Sequence, residues 1–294
     1  MKQPIFIGSS AAIVTPFDDG GINFDCLSRL IEMHISSGTS ALTVCGTTGE
    51  SPTLFFDEHI KLIDFCVAKS AGRIKIIAGS GSNNTETSLE YCLHAQASGA
   101  DGVLLVTPYY NKTTQNGLID HYTYIADRIS VPIILYNVPS RTGMSITPES
   151  YKVLSGHPMI NGVKEASGSF QLISDTIDLC GDELNIWSGN DCETIPMMAL
   201  GAKGVISVAA NIIPVQMSQI TGYCNDGNYD LACQTYYKYA SLISALFCEV
   251  NPIPIKSAMN IAGFDVGAPR RPLCNMSEKN LLNLRDTMIK CGIV

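Results

Sequence analysis

Eight short runs of apolar and β-branched residues recur along the chain, at intervals of roughly 20 to 35 residues. They are Ala11–Thr15, Ala41–Cys45, Ile74–Ala78, Gly102–Thr107, Val131–Tyr136, Gly162–Glu165, Asn185–Ser188 and Gly204–Val208. Each is continuous rather than alternating, the pattern of parallel strands buried on both faces. Segments with helical spacing lie between most of them: Ile60, Ile63 and Val67 after the second run, Leu89, Leu93 and Gln96 after the third. Each connection is long enough for a crossover helix. Eight strand-then-helix units predict an α/β fold, a (β/α)8 TIM barrel. The alternative is an open doubly wound sheet. It ordinarily has fewer strands and a glycine-rich turn after the first one, whereas here Gly8-Ser9-Ser10 precedes the first run.

From residue 224 onward no strand-like run occurs. Tyr229–Glu249 reads as one helix, and a second begins near Pro252-Ile253-Pro254, where proline suits a helix start. A third runs from Ser277 as N-cap to Gly292 as C-cap. The expected organisation is a catalytic barrel over residues 1–223 and a C-terminal helical domain over 224–294.

Composition narrows the function classes. The chain has 294 residues, 46% hydrophobic and 16% charged, with mean hydropathy +0.16, which is globular composition. A net charge of −8 and no basic stripe exclude nucleic acid as a partner. An anionic substrate must therefore be met by local donors. The eleven cysteines are odd in number, without C-x-x-C or nearby histidines at metal spacing, which disfavours a disulfide scaffold and a zinc site. Buried free thiols in a reducing cytoplasm fit better. Met1–Ile5 shows no signal-type apolar run and no stretch reaches membrane-helix length, so a cytoplasmic protein without a membrane partner is expected.

Barrel enzymes place their chemistry at the C-terminal ends of the strands. Of the twelve lysines, Lys164 holds such a position; Lys75 and Lys203 begin predicted strands. Burial disfavours an ammonium, and a buried amine is suited to attack a carbonyl and form a Schiff base. Tyr136 ends the adjacent strand on the same face. It can pass protons to and from a carbinolamine hydroxyl, or be a core tyrosine with a satisfied hydroxyl. Gly46-Thr47-Thr48-Gly49 offers hydroxyls and backbone N–H groups that can hold a carboxylate, and equally makes an ordinary strand-to-helix turn. Arg141, in a loop at the same mouth, suits a bidentate grip on a carboxylate or a surface salt bridge. Tyr109 and Tyr110 follow Pro108 in a loop and also suit an interface. Strand alternation turns Glu165 to the other face, as a structural residue. His34, His59, His94, His121 and His157 fall in helices or connections as packing or solvated residues, and no carboxylate or histidine cluster suggests a catalytic metal.

Together these motifs resemble the dihydrodipicolinate synthase / N-acetylneuraminate lyase family of class I aldolases. The resemblance spans essentially the whole chain, including Glu249-Val250-Asn251-Pro252-Ile253-Pro254-Ile255-Lys256. It implies a TIM barrel with a C-terminal helical domain. It also implies a Schiff base between Lys164 and the ketone of pyruvate, with no metal or organic cofactor. The motif Tyr136-Asn137-Val138-Pro139-Ser140-Arg141-Thr142-Gly143 sorts the chain with the family's synthases, in which this arginine binds the carboxylate of aspartate 4-semialdehyde. Thr47-Thr48 points the same way, although keto-deoxy sugar acid aldolases can share it. Such an aldolase, or a non-catalytic pyruvate-binding protein on the same scaffold, is the alternative.

The resemblance further implies proton transfer through Tyr136, Thr47 and Tyr110, with Tyr110 reaching in from a neighbouring subunit of a homotetramer. Pyruvate's carboxylate would rest on Thr47 and Thr48, with Gly189 and Ile206 near the adduct. The reaction expected is the first committed step of diaminopimelate and lysine synthesis. Ser51, Pro52, His59, Asn83 and Tyr109 fall at the positions of a lysine-inhibition pocket. Phe56 and Thr87 stand where inhibited members carry histidine and glutamate, so weak or absent inhibition by lysine is expected.

Overall fold

The computed structural model describes residues 2–294. Eight parallel strands close into a barrel: β1 (Gly8–Ala12), β2 (Ala41–Val44), β3 (Lys75–Gly79), β4 (Gly102–Val106), β5 (Ile133–Asn137), β6 (Ile160–Glu165), β7 (Asn185–Ser188) and β8 (Gly204–Ser207). Each pairs with its neighbours in sequence, and β8 with β1. Around them run α1 (Phe24–Ser36), α2 (Phe56–Ser70), α3 (Thr85–Ser98), α4 (Gln115–Ala126), α5 (Pro148–Ser155), α6 (Phe170–Cys180), α7 (Thr194–Ala199) and α8 (Pro214–Asn225). Several helices begin where the sequence supplies an acceptor side chain. Asn23, Asn84, Thr114, Thr147 and Ser169 each accept a backbone N–H of the first turn. The closed (β/α)8 barrel is the architecture the strand count predicts.

Side chains alternate along the strands. Ala12, Ile77, Leu104, Trp187 and Ile206 belong to a cluster inside the barrel, while Leu42, Val103, Leu135 and Val205 join the core between strands and helices. Trp187 stacks on Phe6 with ring centroids 5.0 Å apart and donates its indole N–H to the Phe6 carbonyl at 3.2 Å. Gly162 makes room for it, since a Cβ there would lie 2.6 Å from the indole ring.

The first strand is Gly8–Ala12 rather than Ala11–Thr15, so Gly8-Ser9-Ser10 lies inside it. Ser9 and Ser10 are buried, and the Ser10 hydroxyl pairs with that of Thr43 at 3.0 Å. Hydrophobicity therefore marks this strand three residues late. Residues 13–15 leave the sheet pinned: Val14 N–H donates to Asn211 Oδ1 at 3.0 Å and the Thr15 hydroxyl donates to the Gly49 carbonyl at 2.6 Å. In α3 the buried face is Leu89, Cys92 and Ala95, and Leu93 is exposed. Small side chains, not the next leucine, meet the barrel wall.

Three helices complete the chain: α9 (Tyr229–Ala245), α10 (Ile253–Ile261) and α11 (Glu278–Lys290). The first stops four residues short of Glu249, which caps α11 instead. Glu249 Oε1 accepts from Ser277 N–H at 3.1 Å, the Ser277 hydroxyl at 2.6 Å and Asn280 Nδ2 at 2.7 Å. Ser277 holds the N-cap position, but its hydroxyl makes no capping bond of its own. A carboxylate at that helix start is favoured by the aligned peptide dipoles. All eleven cysteines are free thiols, as the spacing predicts, but only six are buried; Cys192, Cys248 and Cys274 are exposed.

Buried histidines make stability pH-dependent. Burial holds His34 down to about 3 and His59 down to about 4, against an ordinary value of 6.5. Both folded values lie below the unfolded one. Their contribution is complete above pH 6.5 and is lost as pH falls towards 4 and then 3, because the unfolded chain takes up protons that the folded chain cannot. From pH 7 to pH 5 the loss is expected to be about 2 kcal/mol per ring. Thermal unfolding across this range checks it, and His34→Gln should flatten the acid limb.

Candidate active site

Lys164 lies on β6 in direct register with Tyr136 on β5. Its Nζ sits 4.3 Å from the centre of the Tyr136 ring. The residue is 6% exposed and makes no ion pair among the described residues. An amine with those surroundings is free to act as a nucleophile. Gly189, just after β7, gives the lysine stem its place: a Cβ there would lie 3.2 Å from Lys164 Cε and 2.7 Å from Ala166 Cβ. Ile206 is fully buried in the same interior cluster as Tyr136.

One residue on, the chain turns its side chain outward. Glu165 accepts two bonds from Asn137 Nδ2 at 3.0 and 3.1 Å, one from the Tyr151 hydroxyl at 2.9 Å and one from Ser167 N–H at 2.8 Å. Burial pushes its carboxyl above the usual range. It fastens β6 to β5 and α5 from behind the lysine, the structural part that alternation predicts.

Residues 46–50 form the turn after β2. Thr47 and Tyr136 both line a small cavity of about 40 Å³, bounded also by Gly79, Gly81 and Leu104. The turn rests on the end of β3, where a Cβ at Gly79 would lie 2.2 Å from the Cys45 carbonyl oxygen. Glu50 closes the turn at φ +57, a left-handed conformation that costs a residue with a side chain. An ion pair secures it. Lys256 Nζ donates to Glu50 Oε1 at 2.8 Å and to the carbonyls of Thr15 and Ala268 at 3.1 Å, while Glu50 Oε2 accepts from Arg270 N–H at 2.8 Å. Both side chains of the pair are buried, and burial pulls the Lys256 ammonium below its usual range.

Thr48 is buried, and its hydroxyl oxygen accepts from Asn251 Nδ2 at 3.0 Å. The backbone carbonyl of Asn251 accepts from Arg141 Nη2 at 3.2 Å. Arg141 is exposed on a short helical turn, Pro139–Thr142, and makes no ion pair among the described residues. Two residues expected to meet carboxylates are thus joined through one asparagine of the C-terminal region.

Tyr110 is not gathered in. It is 94% exposed at φ +71, with its ring outside the mouth of its own barrel. Of the expected regulatory positions, Ser51 opens a short 3-10 turn and Asn83 Nδ2 donates to the Tyr109 carbonyl at 3.1 Å. His59 Nε2–H donates to the Gly79 carbonyl at 2.8 Å, and its ring stacks on Tyr91 at 4.1 Å. Phe56 stacks on that same ring at 5.2 Å.

Besides Glu50, three residues of the site carry no assigned role in the sequence reading. Asp191 is fully buried; its Oδ2 accepts from Val208 and Ala209 N–H at 3.1 Å, and burial raises its carboxyl although hydrogen bonds from Ser207 and from these N–H groups oppose this. Asn251 and Lys256 are the others. The available signal for Lys256 was a single lysine in the otherwise largely apolar start of α10, where burial demands a partner. Among the described residues no group of three or more His, Cys, Asp or Glu side chains is placed to hold a metal ion, and no helix is long and apolar enough to cross a membrane.

Comparison with known proteins agrees with this geometry. A 4-hydroxy-tetrahydrodipicolinate synthase of Thermoanaerobacter sp. (strain X514) is 49% identical over 293 residues, covering 99% of both chains. The crystal structure of the chloride-inhibited dihydrodipicolinate synthase from Acinetobacter baumannii complexed with pyruvate superposes with a TM-score of 0.96 at 40% identity, covering 98% of this chain and 99% of that one. A structure described as the first monomeric dihydrodipicolinate synthase variant gives the same TM-score, 0.96, at 40% identity, covering 99% of this chain and 98% of that one. Residues 5–290 match the dihydrodipicolinate synthetase family, and the chain belongs to it.

Proposed function

We propose that the protein condenses pyruvate with aspartate 4-semialdehyde to give 4-hydroxy-tetrahydrodipicolinate, the entry to diaminopimelate and lysine synthesis. The observation that carries this is the buried, ion-pair-free Lys164 beside Tyr136, within a barrel mouth that also presents Thr48 and Arg141. The Lys164 amine attacks the pyruvate ketone; a carbinolamine forms, water leaves and an imine remains. Loss of a methyl proton gives an enamine, which adds to the aldehyde. The amino group of the second substrate then attacks the imine carbon, closing the ring and releasing Lys164. Tyr136 and Thr47 carry the protons, Thr47 and Thr48 receive pyruvate's carboxylate, and Arg141 receives that of the aldehyde.

Borohydride reduction in the presence of pyruvate, followed by peptide mass mapping, tests the first half: the adduct belongs on Lys164. Arg141 tests the second. Arg141→Ala is expected to lower kcat/KM for aspartate 4-semialdehyde roughly 100-fold, the effect of losing charge-assisted hydrogen bonds, while imine trapping with pyruvate persists. Unchanged condensation would reject this second substrate in favour of another pyruvate-dependent aldolase. Binding of pyruvate without turnover would leave only a metabolite-binding protein.

Tyr110 completes the relay from a second copy of the chain in a homotetramer. Its 94% exposure supports this, because a tyrosine turned away from its own site can serve a neighbour's. Since a monomeric variant shares the fold, the barrel by itself does not demand assembly. Light scattering that shows a fully active monomer would refute the borrowed tyrosine. Feedback inhibition by lysine is weak or absent, because Phe56 stacks on Tyr91 and Thr87 brings no charge to an ammonium. The eleven free thiols support a reducing cytoplasm. The functional division remains barrel 1–223 and helical domain 224–294.

A further inference from the structure

We infer that the ring face of Tyr136 stabilises the positively charged iminium formed on Lys164, a task separate from the proton transfer that its hydroxyl performs. The inference rests on the Schiff-base chemistry proposed above and gives the transient cation of that chemistry its partner.

The reaction passes through a cation. Lys164 Nζ gives its lone pair to the ketone carbon, and a proton moves from nitrogen to the former carbonyl oxygen. A second proton, taken from the relay, lets that hydroxyl leave as water with the C–O bonding pair. The nitrogen lone pair then closes a C=N bond, and the adduct carries one positive charge. That charge draws the C–H electrons of the methyl group into the enamine as the proton leaves. A neutral imine is a far weaker electron sink. The site must therefore favour a cation on this nitrogen without holding the resting amine as an ammonium, which has no lone pair to give.

The geometry meets both demands. Tyr136 pairs in register with Lys164, and Nζ lies over its ring, 4.3 Å from the centre. That is inside the ~6 Å reach of a cation–π attraction, and both residues are buried, where the attraction is strongest. Among the described residues no carboxylate pairs with Lys164. Glu165 is held from behind by Asn137 and Tyr151, and Asp191 Oδ2 holds the N–H groups of Val208 and Ala209. The other buried lysine supplies the contrast. Lys256 Nζ also lies over an aromatic ring, 4.4 Å from the centre of Phe17, but it pairs with Glu50 at 2.8 Å as well. Lys256 has a ring and a carboxylate and serves as an anchor. Lys164 has the ring alone. A buried carboxylate would grip an ammonium too firmly for a nucleophile. A ring face favours the cation by a factor of about 30, enough to bias the imine and too little to lock the amine.

The test separates ring from hydroxyl. Tyr136→Phe is compared with its mono-, di- and pentafluorinated phenylalanine analogues at the same position. All four lack the hydroxyl and have nearly the same shape, while fluorine progressively removes the negative potential of the ring face. Tyr136→Leu removes the ring. At saturating pyruvate and constant pH, cyanoborohydride reduces the iminium and spares the neutral imine, so the rate of adduct formation on Lys164 reads the cation. Exchange of the pyruvate methyl protons in heavy water reads the enamine without the second substrate. Both rates are expected to fall stepwise with fluorination, by ~10- to 30-fold from Tyr136→Phe to the pentafluorinated ring, and Tyr136→Leu should match the latter. A ring that merely packs would leave them unchanged across the series. If the pentafluorinated or leucine variant fails to fold, the mono- and difluorinated rings still give the slope. Equal rates across the fluorinated series, or a Tyr136→Phe variant that traps nothing while the wild type traps, overturn the inference. Failure of the wild type to form any adduct with pyruvate would instead remove the Schiff-base chemistry on which it rests.

Discussion

Lys164→Ala is expected to lower kcat/KM at least ~10⁴-fold, in line with the loss of a covalent nucleophile, and to abolish borohydride trapping of pyruvate. The same change should leave melting unaffected or slightly raised. Among the described residues Lys164 makes no ion pair, so its removal leaves no carboxylate of a salt bridge without a counter-charge. Tyr136, Gly189 and the Glu165 contacts behind β6 all remain in place. Steady-state rates with both substrates, trapping and thermal unfolding should therefore separate cleanly. A variant that retains turnover would show that the amine is not the nucleophile. A variant that unfolds would show that the lysine is there to hold the barrel.

The other buried lysine should behave in the opposite way. Lys256→Met is expected to destabilise the fold by about 3–5 kcal/mol, because it leaves Glu50 buried without its counter-charge. The Lys164 amine is untouched, so imine trapping should persist wherever the variant is folded. Pyruvate affinity should weaken, since Glu50 terminates the turn that carries Thr47 and Thr48. Combining it with Glu50→Gln should restore most of the stability, because a buried ion pair replaced as a unit costs little. Chemical denaturation of the two single variants and the double variant measures the coupling. A Lys256→Met protein as stable as the wild type would mean that the pair does not anchor the turn.

Much of this was legible in the sequence, for identifiable reasons. Strands β2 to β5 are built largely of continuous apolar or β-branched residues, as a parallel strand covered on both faces tends to be. The first was placed three residues late because it carries Ser9 and Ser10, whose hydroxyls are buried by tertiary contacts that no local pattern records. Lys164 and Tyr136 could be read together because both end strands and parity puts them on one face. The supports of the site could not be read in this way. Glu50 and Lys256 are 206 residues apart, and Thr48 and Asn251 are 203 apart. Each looks unremarkable within its own segment. Asp191 was visible as a residue after a strand, but its task depends on backbone N–H groups at 208 and 209, on the next strand's exit.

Asn251 and Lys256 leave the same short stretch of chain and reach the same turn, one gripping it at Thr48 and the other at Glu50. The last three helices are therefore less an attachment than a buttress. Dividing the molecule between cylinder and bundle would not release a smaller catalyst. It would leave an open-topped cup, with its nucleophile still upright but the rim that holds the keto acid unpropped.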